Sequence, residues 1–389
     1  MTVATAAPPP GAILAGKYRV EALIGAGGVG WVLAARHIEL DTPVAIKVLR
    51  ADVVDSPEHR ERFRREARVV ANLQSEHVAR VFDFGTLDDG ALYVAMELLQ
   101  GRDLDDELKA RGPVPIEETV GHFLGACEGI AEAHARGVVH RDIKPKNLFI
   151  ARRMDGRRLL KVLDFGIAKK GSSLGEDSLT RMNDVLGTPR YMAPEQLKSA
   201  KVIDERADIW ALGVALYEAL TGKAPFDGAN DVIIFSAILQ LNPPRVRAHR
   251  PEVPQGLDDV IFRCMAKEPP ARFQSVLELA VALEPFGPSA LGTSKRIHAI
   301  LSRDGEKLLP LPLAFSNRPS APSIRTIVWR GRRVASFSRG VRWAVGLGAV
   351  ASVIVLAILL ATAGGDEVPP ATAADPAGDA SPRGAEPAR

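Results

Sequence analysis

The stretch VVHRDIKPKNLFI, residues 138–150, decides how this chain is interpreted. Two aliphatic residues lead into a His-Arg-Asp triplet, and a hydrophobic run resumes only after a Lys-Pro-Lys-Asn segment. The turn of a buried hairpin has no need of a carboxylate at Asp142, an ammonium at Lys144 and an amide at Asn147. Such groups this close together indicate a chemical site, and a solvated hairpin loop is the alternative interpretation.

A glycine-rich turn, GAGGVG, lies near the start of the chain at residues 25–30. Alternating apolar residues predict β-strands at about 18–24, 31–37 and 43–49, so this turn joins the first two strands. The same GxGxxG spacing occurs in dinucleotide sites, but there it opens a helix, whereas the strand-like WVLAARH follows here. The pattern favours a hairpin whose backbone N–H groups approach phosphates, and a plain glycine-rich turn is the other interpretation.

Lys47 and Glu66 are two charged residues placed on regular elements. Lys47 lies near the end of the apolar strand around VAIK, where a lysine must extend to solvent or meet an anion. Residues 58–74, EHRERFRREARVVANLQ, predict an amphipathic helix with Glu66 near its middle. Alone, Glu66 would be a solvated charge. With Lys47 available, it is a candidate partner that aims the ammonium at phosphate oxygens.

Composition limits the classes of function. The chain has 389 residues, 46% of them hydrophobic, and a net charge of +3. Residues 287–342 hold 11 Lys and Arg against two acids, so the basic character belongs to one segment and does not indicate a nucleic-acid-binding surface. Cys127 and Cys264 lie among apolar or helix-forming neighbours, which predicts small buried residues in a reducing compartment and no disulfide framework.

The segment WAVGLGAVASVIVLAILLATA, residues 343–363, carries no charge. About 20 such residues cross a bilayer as a helix, so we predict a single transmembrane helix. Arginines precede it and acids follow it, which predicts that the N-terminal side lies in the cytoplasm, at the cell membrane. Residues 1–16 are predicted to be a disordered arm, 287–342 a flexible basic linker, and 364–389 a short disordered extracytoplasmic tail. The linker arginines either contact anionic headgroups or only set the topology.

The motifs stand in the order found in protein kinases. The chain resembles the eukaryotic-type protein kinase family, in particular its bacterial, membrane-anchored serine/threonine branch, over about residues 18–286. The resemblance implies an α+β, bilobal protein kinase fold, with a small β-sheet lobe and one main helix at about 17–97 and a larger, mainly helical lobe at about 98–286. The motifs that carry it are the glycine-rich turn, Lys47, Glu66, HRDIKPKN, DFG at 164–166 and APE at 193–195. Apolar periodicity predicts helices of the larger lobe at about 116–136, 204–221, 229–240, 256–266 and 275–284.

The resemblance implies roles for the residues of the opening stretch. Asp142 would accept the proton of a substrate hydroxyl and orient it in line with the γ-phosphate of ATP. Lys144 would neutralise charge on the transferred group. Asn147 and Asp164 would hold Mg²⁺, a hard cation that prefers oxygen ligands. His140 and Phe165 are expected to be packed residues that take no part in proton transfer.

The resemblance also implies the set that binds ATP. Lys47 would contact the phosphates, and Met96 would be the gatekeeper beside the adenine. The backbone C=O of Glu97 and N–H of Leu99 would be the adenine partners. The residues expected to bind ATP are Ile24, Gly25, Ala26, Gly27, Gly28, Val29, Gly30, Val32, Ala45, Lys47, Met96, Glu97 and Leu99.

The resemblance also implies which hydroxyl groups are phosphorylated and how the activity is regulated. Lys144 in DIKPKN and Thr188 in GTPRYMAPE match serine/threonine kinases. Arg141 precedes the expected base, and kinases with this arginine commonly await a phosphate on the activation segment. Thr180 is the expected autophosphorylation site, because a phosphate there would pair with Arg141. A second nearby threonine used by some relatives is replaced here by Met182, which leaves graded control in doubt.

Three residues are expected to have structural roles. Glu195 and Arg272 match the ion pair that anchors the end of the activation segment. Asp208 matches the carboxylate on a helix that braces the catalytic loop.

Expected partners are protein substrates that bear Ser or Thr, and a homodimer for trans-autophosphorylation, although nothing in the sequence identifies a dimer surface. A catalytically inactive scaffold is one rival, but such proteins usually lose residues equivalent to Lys47, Asp142 or Asp164, and all three are present. A receptor with an external ligand is the other rival, but the tail after residue 363 is too short to form a pocket.

Overall fold

The computed structural model describes residues 6–28, 30–50, 56–165, 189–198, 203–288 and 292–303. The strands are β1 (Ile13–Leu14), β2 (Tyr18–Gly27), β3 (Gly30–His37), β4 (Thr42–Leu49), β5 (Val81–Thr86), β6 (Leu92–Glu97), β7 (Gly101–Asp103), β8 (Leu148–Arg152) and β9 (Arg158–Val162). The helices are α1 (Pro57–Ala71), α2 (Leu104–Arg111), α3 (Ile116–Ala135), α4 (Pro194–Leu197), α5 (Arg206–Thr221), α6 (Asp231–Gln240), α7 (Gln255–Cys264), α8 (Val276–Leu283) and α9 (Thr293–Arg303). A sheet-rich small lobe therefore precedes a mainly helical large lobe, as predicted.

The small lobe contains an antiparallel sheet in the order β1-β2-β3-β4-β6-β5. The three strands predicted at the start of the chain are confirmed, with β2 and β3 extending to the glycine-rich turn. Gly27 pairs with Gly30 across that turn. A side chain at Gly30 would overlap the carbonyl oxygen of Val48, so the close approach of β4 requires glycine here.

The two faces of this sheet carry different sets of residues. In the strand register, Val32 lies opposite Lys47, and Ala45 lies opposite Met96. Side chains of a strand alternate between faces, so these four residues share one face of the sheet. The buried residues of the opposite face are Tyr18, Val20, Leu33, Ala35, Val44, Ile46, Val48, Tyr93 and Ala95.

Asp83 joins strands that are far apart in the order of the sheet. Its Oδ2 atom accepts hydrogen bonds from Lys17 Nζ at 3.0 Å, from Tyr18 Oη at 3.1 Å and from Tyr93 Oη at 3.1 Å. Burial raises the pKa of both tyrosines, and the neighbouring carboxylate raises it further. Because Tyr18 belongs to β2 and Asp83 to the edge strand β5, the sheet must curl to bring them together.

The prediction of a disordered arm over residues 1–16 is wrong for its described part. Gly11 N donates to Val20 O at 2.9 Å, and Val20 N donates to Ala12 O at 2.9 Å. Leu14 is buried against the curled sheet face. Backbone pairing with β2 and burial of one leucine order this segment, despite its Pro- and Ala-rich composition.

The helix around Glu66 is confirmed at α1. Ser56 caps it, because its Oγ accepts from His59 N at 3.2 Å, and Pro57 occupies the first turn. Phe63, among the residues of its apolar face, is buried in the main core. This packing fixes which face of α1 turns toward the cleft.

The large lobe is built around α3 and α5, which are buried along almost their whole length. The five helices predicted for this lobe are confirmed at α3, α5, α6, α7 and α8, with ends within three residues of the predicted ones. Cys127 and Cys264 are buried free thiols, as predicted. Gly125 and Gly129 of α3 let the segment at His77 and Val78 approach closely. A Cβ at Gly125 would overlap the ring of His77, and a Cβ at Gly129 would crowd the side chain of Val78.

The prediction of a flexible linker from residue 287 is wrong at its start. Residues 293–303 form α9, which packs against α3 and α8. Ile297 is fully buried, and Arg296 Nε lies 2.7 Å from Glu128 Oε2 on α3. An apolar stripe and this ion pair hold the helix, although Pro, Ser and Gly surround it in the sequence.

Among the described helices, none is both long and apolar enough to cross a membrane. The predicted span at 343–363, the rest of the linker and the tail at 364–389 lie outside the described residues.

Candidate active site

The opening stretch forms a loop between α3 and β8. Its polar groups converge on Asp142: Lys144 Nζ lies 3.0 Å from Asp142 Oδ2, and Asn147 Nδ2 lies 3.1 Å from the same oxygen. Asn147 Nδ2 also donates to the backbone oxygen of Asp142 at 2.7 Å. A turn of 3₁₀-helix, Pro145–Asn147, brings the asparagine back toward the aspartate. The carboxylate, ammonium and amide therefore meet on one face, and a loose solvated loop is not what the structure shows.

Asp208 on α5 supports this loop from behind. It is fully buried and accepts hydrogen bonds at 2.8 Å from the backbone N–H groups of His140 and Arg141 and from His134 Nε2. Burial alone would raise its pKa, but these donors, with His134 first, lower it below the ordinary value. Arg141 has a left-handed backbone, with φ of 61°, which this network holds in place.

Asp164 approaches the loop from the β8–β9 hairpin. The hairpin turn contains Asp155 and Gly156, as predicted, with Gly156 at φ of 81°. Leu163 N donates to Asn147 O at 2.8 Å, and Asp164 takes a left-handed backbone with φ of 51°. The bond from Leu163 brings the backbone that leads into Asp164 next to Asn147.

His140 is occupied by packing and hydrogen bonds. Its Nε2 donates to Leu163 O at 2.8 Å, and its Nδ1 accepts from Asp142 N at 3.2 Å. The ring lies 4.7 Å from that of Phe165. Both nitrogens have partners, so the ring anchors the loop and has no atom available for proton transfer.

The cleft face of the small lobe carries Lys47. Its Nζ lies 2.8 Å from Asp164 Oδ1, so the strand lysine and the hairpin carboxylate form an ion pair. Val32, Ala45 and Met96 share its sheet face, and Ile24 is 52% exposed beside the glycine-rich turn. Val29 lies outside the described residues.

Lys47 and Glu66 do not meet. The ion pairs of the described residues join Lys47 to Asp164, and none joins it to Glu66. Burial raises the pKa of Glu66, and the charge of Arg141 is the largest opposing influence. In this structure the ammonium of Lys47 therefore pairs with Asp164, and the expected ion pair with Glu66 is not formed.

The hinge, residues 97–99, begins at the last residue of β6 and links the two lobes. Glu97 N donates to Arg80 O at 2.9 Å, and Glu97 Oε1 accepts from Arg80 N at 2.8 Å. Lys161 Nζ lies 2.7 Å from the same carboxylate oxygen. The hinge is thus fixed on one side by its own side chain, and Leu99 lies in the irregular segment before β7.

Residues 18–281 match the family described as the protein kinase domain. This chain belongs to the protein kinase family. The match covers both lobes and the residues placed above, from the first full strand into the last predicted helix.

Among the relatives of this kinase domain, serine/threonine-protein kinase pkn3 of Myxococcus xanthus is 39% identical over 265 residues, covering 67% of this chain and 48% of the relative. Serine/threonine-protein kinase PrkC of Bacillus subtilis is 37% identical over 298 residues, covering 77% and 45%. The chain spans about half the length of these curated relatives. The crystal structure of the Mycobacterium tuberculosis PknI kinase domain is similar at a TM-score of 0.58 and 30% identity, covering 72% of this chain and 99% of that one.

The protein kinase family implies ATP and a divalent cation, and the residues present fit both. Asn147 uses its amide nitrogen on Asp142, which leaves its carbonyl oxygen as a ligand. Asp164 supplies a carboxylate, and the residue before it, Leu163, is hydrogen-bonded to Asn147. Two oxygen donors suit Mg²⁺. Lys47 already pairs with the carboxylate of Asp164, so anionic phosphate oxygens are suitable partners for its ammonium.

Arg272 and Glu195 form the ion pair expected of a kinase large lobe. Arg272 Nη1 and Nη2 each lie 2.8 Å from one oxygen of Glu195, a bidentate geometry. Arg272 is fully buried and also donates to the backbone oxygens of Arg206 and Ala266. Arg272 therefore anchors α4, which carries Glu195, to the rest of the large lobe.

Two of the predicted regulatory and structural residues, Thr180 and Thr188, lie outside the described residues. Arg141 is described, and its backbone oxygen accepts from Gln196 Nε2 at 3.2 Å.

Three contributors to the site were not predicted. His134 completes the Asp208 network, Lys161 holds the hinge, and Tyr191 Oη donates to Glu218 at 2.7 Å beside the catalytic loop. None has a partner close in sequence, since His134 and Asp208 are separated by 74 positions. The one available signal was a histidine in the last turn of α3, a helix with many apolar residues.

Proposed function

We propose that this chain is a serine/threonine protein kinase that transfers the γ-phosphoryl group of ATP to Ser and Thr hydroxyls of proteins in bacterial signal transduction. The observation that carries the proposal is the Asp142 carboxylate held by Lys144 and Asn147, with Asp164 presented beside them. The names of the relatives, all serine/threonine-protein kinases, support the choice of acceptor.

Each residue contributes a separate task to this reaction. Asp142 accepts the hydrogen bond of the acceptor hydroxyl and takes its proton as the new oxygen–phosphorus bond forms and the bond to the leaving ADP breaks. Lys144 neutralises charge on the transferred group, and Lys47 binds phosphate oxygens. Mg²⁺, when bound at Asn147 and Asp164, adds positive charge to the phosphates. The protein therefore supplies alignment and charge, which are the main requirements of phosphoryl transfer.

The direct test measures transfer of labelled γ-phosphate from Mg·ATP to the protein itself and to a generic basic protein. Asp142→Asn removes the proton acceptor and is expected to lower the rate by about a thousandfold. Asp155→Asn, in the exposed hairpin turn, is the matched control and should leave the rate unchanged. Unaltered incorporation by Asp142→Asn would refute the proposed role.

We also propose that the chain is anchored in the cell membrane by residues 343–363, with the kinase domain in the cytoplasm. The uncharged run and the arginines that precede it support this proposal. Deleting 343–363 should move the protein from the membrane fraction to the supernatant. Recovery of the intact chain in the supernatant would contradict the anchor.

Regulation by autophosphorylation at Thr180 is the third part of the proposal. Arg141, next to the base, supplies the cation that a phosphate would pair with. The ion pair of Lys47 with Asp164, in place of one with Glu66, supports a catalytic set that is completed only on activation. Phosphopeptide mapping after incubation with ATP should find Thr180, and phosphate only on Ser172 or Ser173 would contradict it. Trans-autophosphorylation in a homodimer predicts that labelling per molecule falls on dilution.

A further inference from the structure

We propose that Lys161 is a nucleotide-positioning residue, which sets the hinge at residues 97–99 relative to the strand that leads into Asp164. The inference rests on the proposed function, because it assigns Lys161 a task in binding ATP. Lys161 lies on β9, three residues before Asp164, and it belongs to no motif singled out in the sequence.

The ammonium of Lys161 joins three separate segments of the chain. Its Nζ lies 2.7 Å from Glu97 Oε1 at the end of β6 and 3.2 Å from the backbone oxygen of Val78. The Lys161 side chain is 13% exposed and that of Glu97 25% exposed, so both charges are largely shielded from water. Such shielded, charge-assisted hydrogen bonds are among the stronger polar contacts in proteins.

Glu97 has no other cation among the contacts of the described residues. Its Oε1 accepts one further hydrogen bond, from Arg80 N at 2.8 Å. Without Lys161, the mostly buried carboxylate of Glu97 keeps only this neutral donor. It is then better stabilised by turning toward solvent. Loss of this ion pair would loosen the end of β6, where the hinge begins. In the family, the backbone of Glu97 carries the oxygen expected to contact adenine.

The strand that carries Lys161 is held independently of its side chain. Val162 N donates to His77 O at 2.7 Å, Ala79 N donates to Val162 O at 3.0 Å, and His77 Nδ1 donates to Leu160 O at 2.8 Å. These bonds keep β9, and therefore Asp164, in place when the ammonium is lost. Removing Lys161 thus affects the hinge and leaves the metal ligands and the catalytic loop as they are.

This separation predicts which kinetic constant changes. A displaced hinge weakens ATP binding equally before and during the reaction, which raises KM for ATP and leaves kcat unchanged. A purely structural lysine would behave differently, because partial unfolding lowers the amount of active enzyme, hence kcat, at constant KM.

The test measures KM for ATP and kcat of the full chain with Mg·ATP and a generic basic protein. Lys161→Met is expected to raise KM by about tenfold and to keep kcat within about twofold. Lys161→Arg, which preserves the charge and the donors, should restore KM to within about threefold of the unaltered chain. Lys223→Met, at an exposed lysine after α5, is the matched control and should change neither constant.

A double-mutant cycle with Glu97→Gln tests the partner. Lys161→Met together with Glu97→Gln should bind ATP no worse than the weaker single variant, since both remove the same contact. Lys161→Gln is measured in parallel, with the thermal unfolding midpoint of each variant, so that poor folding of Lys161→Met does not decide the result.

The outcomes separate this inference from the proposed function. If the unaltered chain binds no Mg·ATP, the proposed function fails and this inference fails with it. If it binds and transfers phosphate while Lys161→Met and Lys161→Gln keep the same KM, only the role of Lys161 is refuted. A fall in kcat at constant KM, in step with the folded fraction, also refutes it.

Discussion

The catalytic loop and the Lys47–Glu66 region differ in how complete they are. Asp142, Lys144 and Asn147 already contact one another, and Asp208 braces them from a buried helix. Lys47 instead pairs with Asp164, and the ion pairs of the described residues include none between Lys47 and Glu66. Groups on one short loop are assembled by local geometry, whereas groups on separate elements depend on how those elements are placed. Control of this protein is therefore expected to act on α1 and to leave the loop unchanged.

The largest expected effect is the loss of phosphoryl transfer when Lys47 is replaced, which is much greater than the effect of replacing Glu66. Lys47→Met removes the phosphate-binding ammonium and should lower phosphoryl transfer by about a thousandfold. In phosphatase-treated protein, Glu66→Gln should leave the Kd for a non-hydrolysable ATP analogue within about twofold, because the carboxylate does not touch Lys47 there. After autophosphorylation the same variant should lower kcat by about tenfold.

Fluorescence titration with the nucleotide analogue measures the Kd, and steady-state kinetics measure kcat. Glu61→Gln, at an exposed acid on α1, is the matched control. A loss of analogue affinity in Glu66→Gln before phosphorylation, equal to the loss in Lys47→Met, would show that the two residues already act together.

The next effect concerns the support of the catalytic loop. Asp208→Asn cannot accept hydrogen bonds from all three donors, so we expect the free energy of unfolding to fall by about 3 kcal/mol. The displaced loop should also lower kcat by about a hundredfold. Chemical denaturation and steady-state kinetics check both values, and a stable variant with full kcat would show that the loop holds itself.

Asp208 also makes the free energy of unfolding depend on pH. The pKa of Asp208 is lower in the folded protein than its ordinary value of 3.8. Its stabilising contribution is therefore complete above that value and is lost as pH falls through the lower folded-state pKa. The difference in unfolding free energy between the unaltered chain and Asp208→Asn should be constant from pH 8 to about pH 5 and shrink in stronger acid. A difference that grows on acidification would contradict this assignment.

The smallest effect lies in the small lobe, away from both regions. Asp83→Asn weakens the three hydrogen bonds that curl the sheet, and we expect the free energy of unfolding to fall by about 2 kcal/mol. Because Asp83 is remote from the cleft, kcat should change by less than about twofold. Asp89→Asn, in the turn between β5 and β6, is a nearby control. A large loss of kcat in Asp83→Asn would mean that the curl of the sheet positions Lys47.

The sequence predicted the parts of the structure that depend on local pattern. The strands around the glycine-rich turn, the helix of Glu66 and the polar loop at Asp142 follow from periodicity, caps and spacing. The order of the motifs then indicated the kinase fold, and the family match confirmed it.

What could not be predicted depends on contacts between distant residues. The curl at Asp83, the bond from His134 to Asp208 and the ion pair from Lys161 to Glu97 join positions 10 to 74 residues apart. Two errors have the same origin: residues 9–14 and α9 look irregular in sequence and are ordered by neighbours that the pattern does not reveal. The failure of Lys47 and Glu66 to meet likewise reflects the placement of a whole helix.

The most direct test is a crystal structure of the protein with Mg²⁺ and a non-hydrolysable ATP analogue. We predict the adenine against the cleft face at Ala45 and the hinge, and the metal between Asn147 and Asp164. The contacts of Asp142 with Lys144 and Asn147 should be unchanged. Nucleotide bound elsewhere, or a metal that contacts neither Asn147 nor Asp164, would contradict the account.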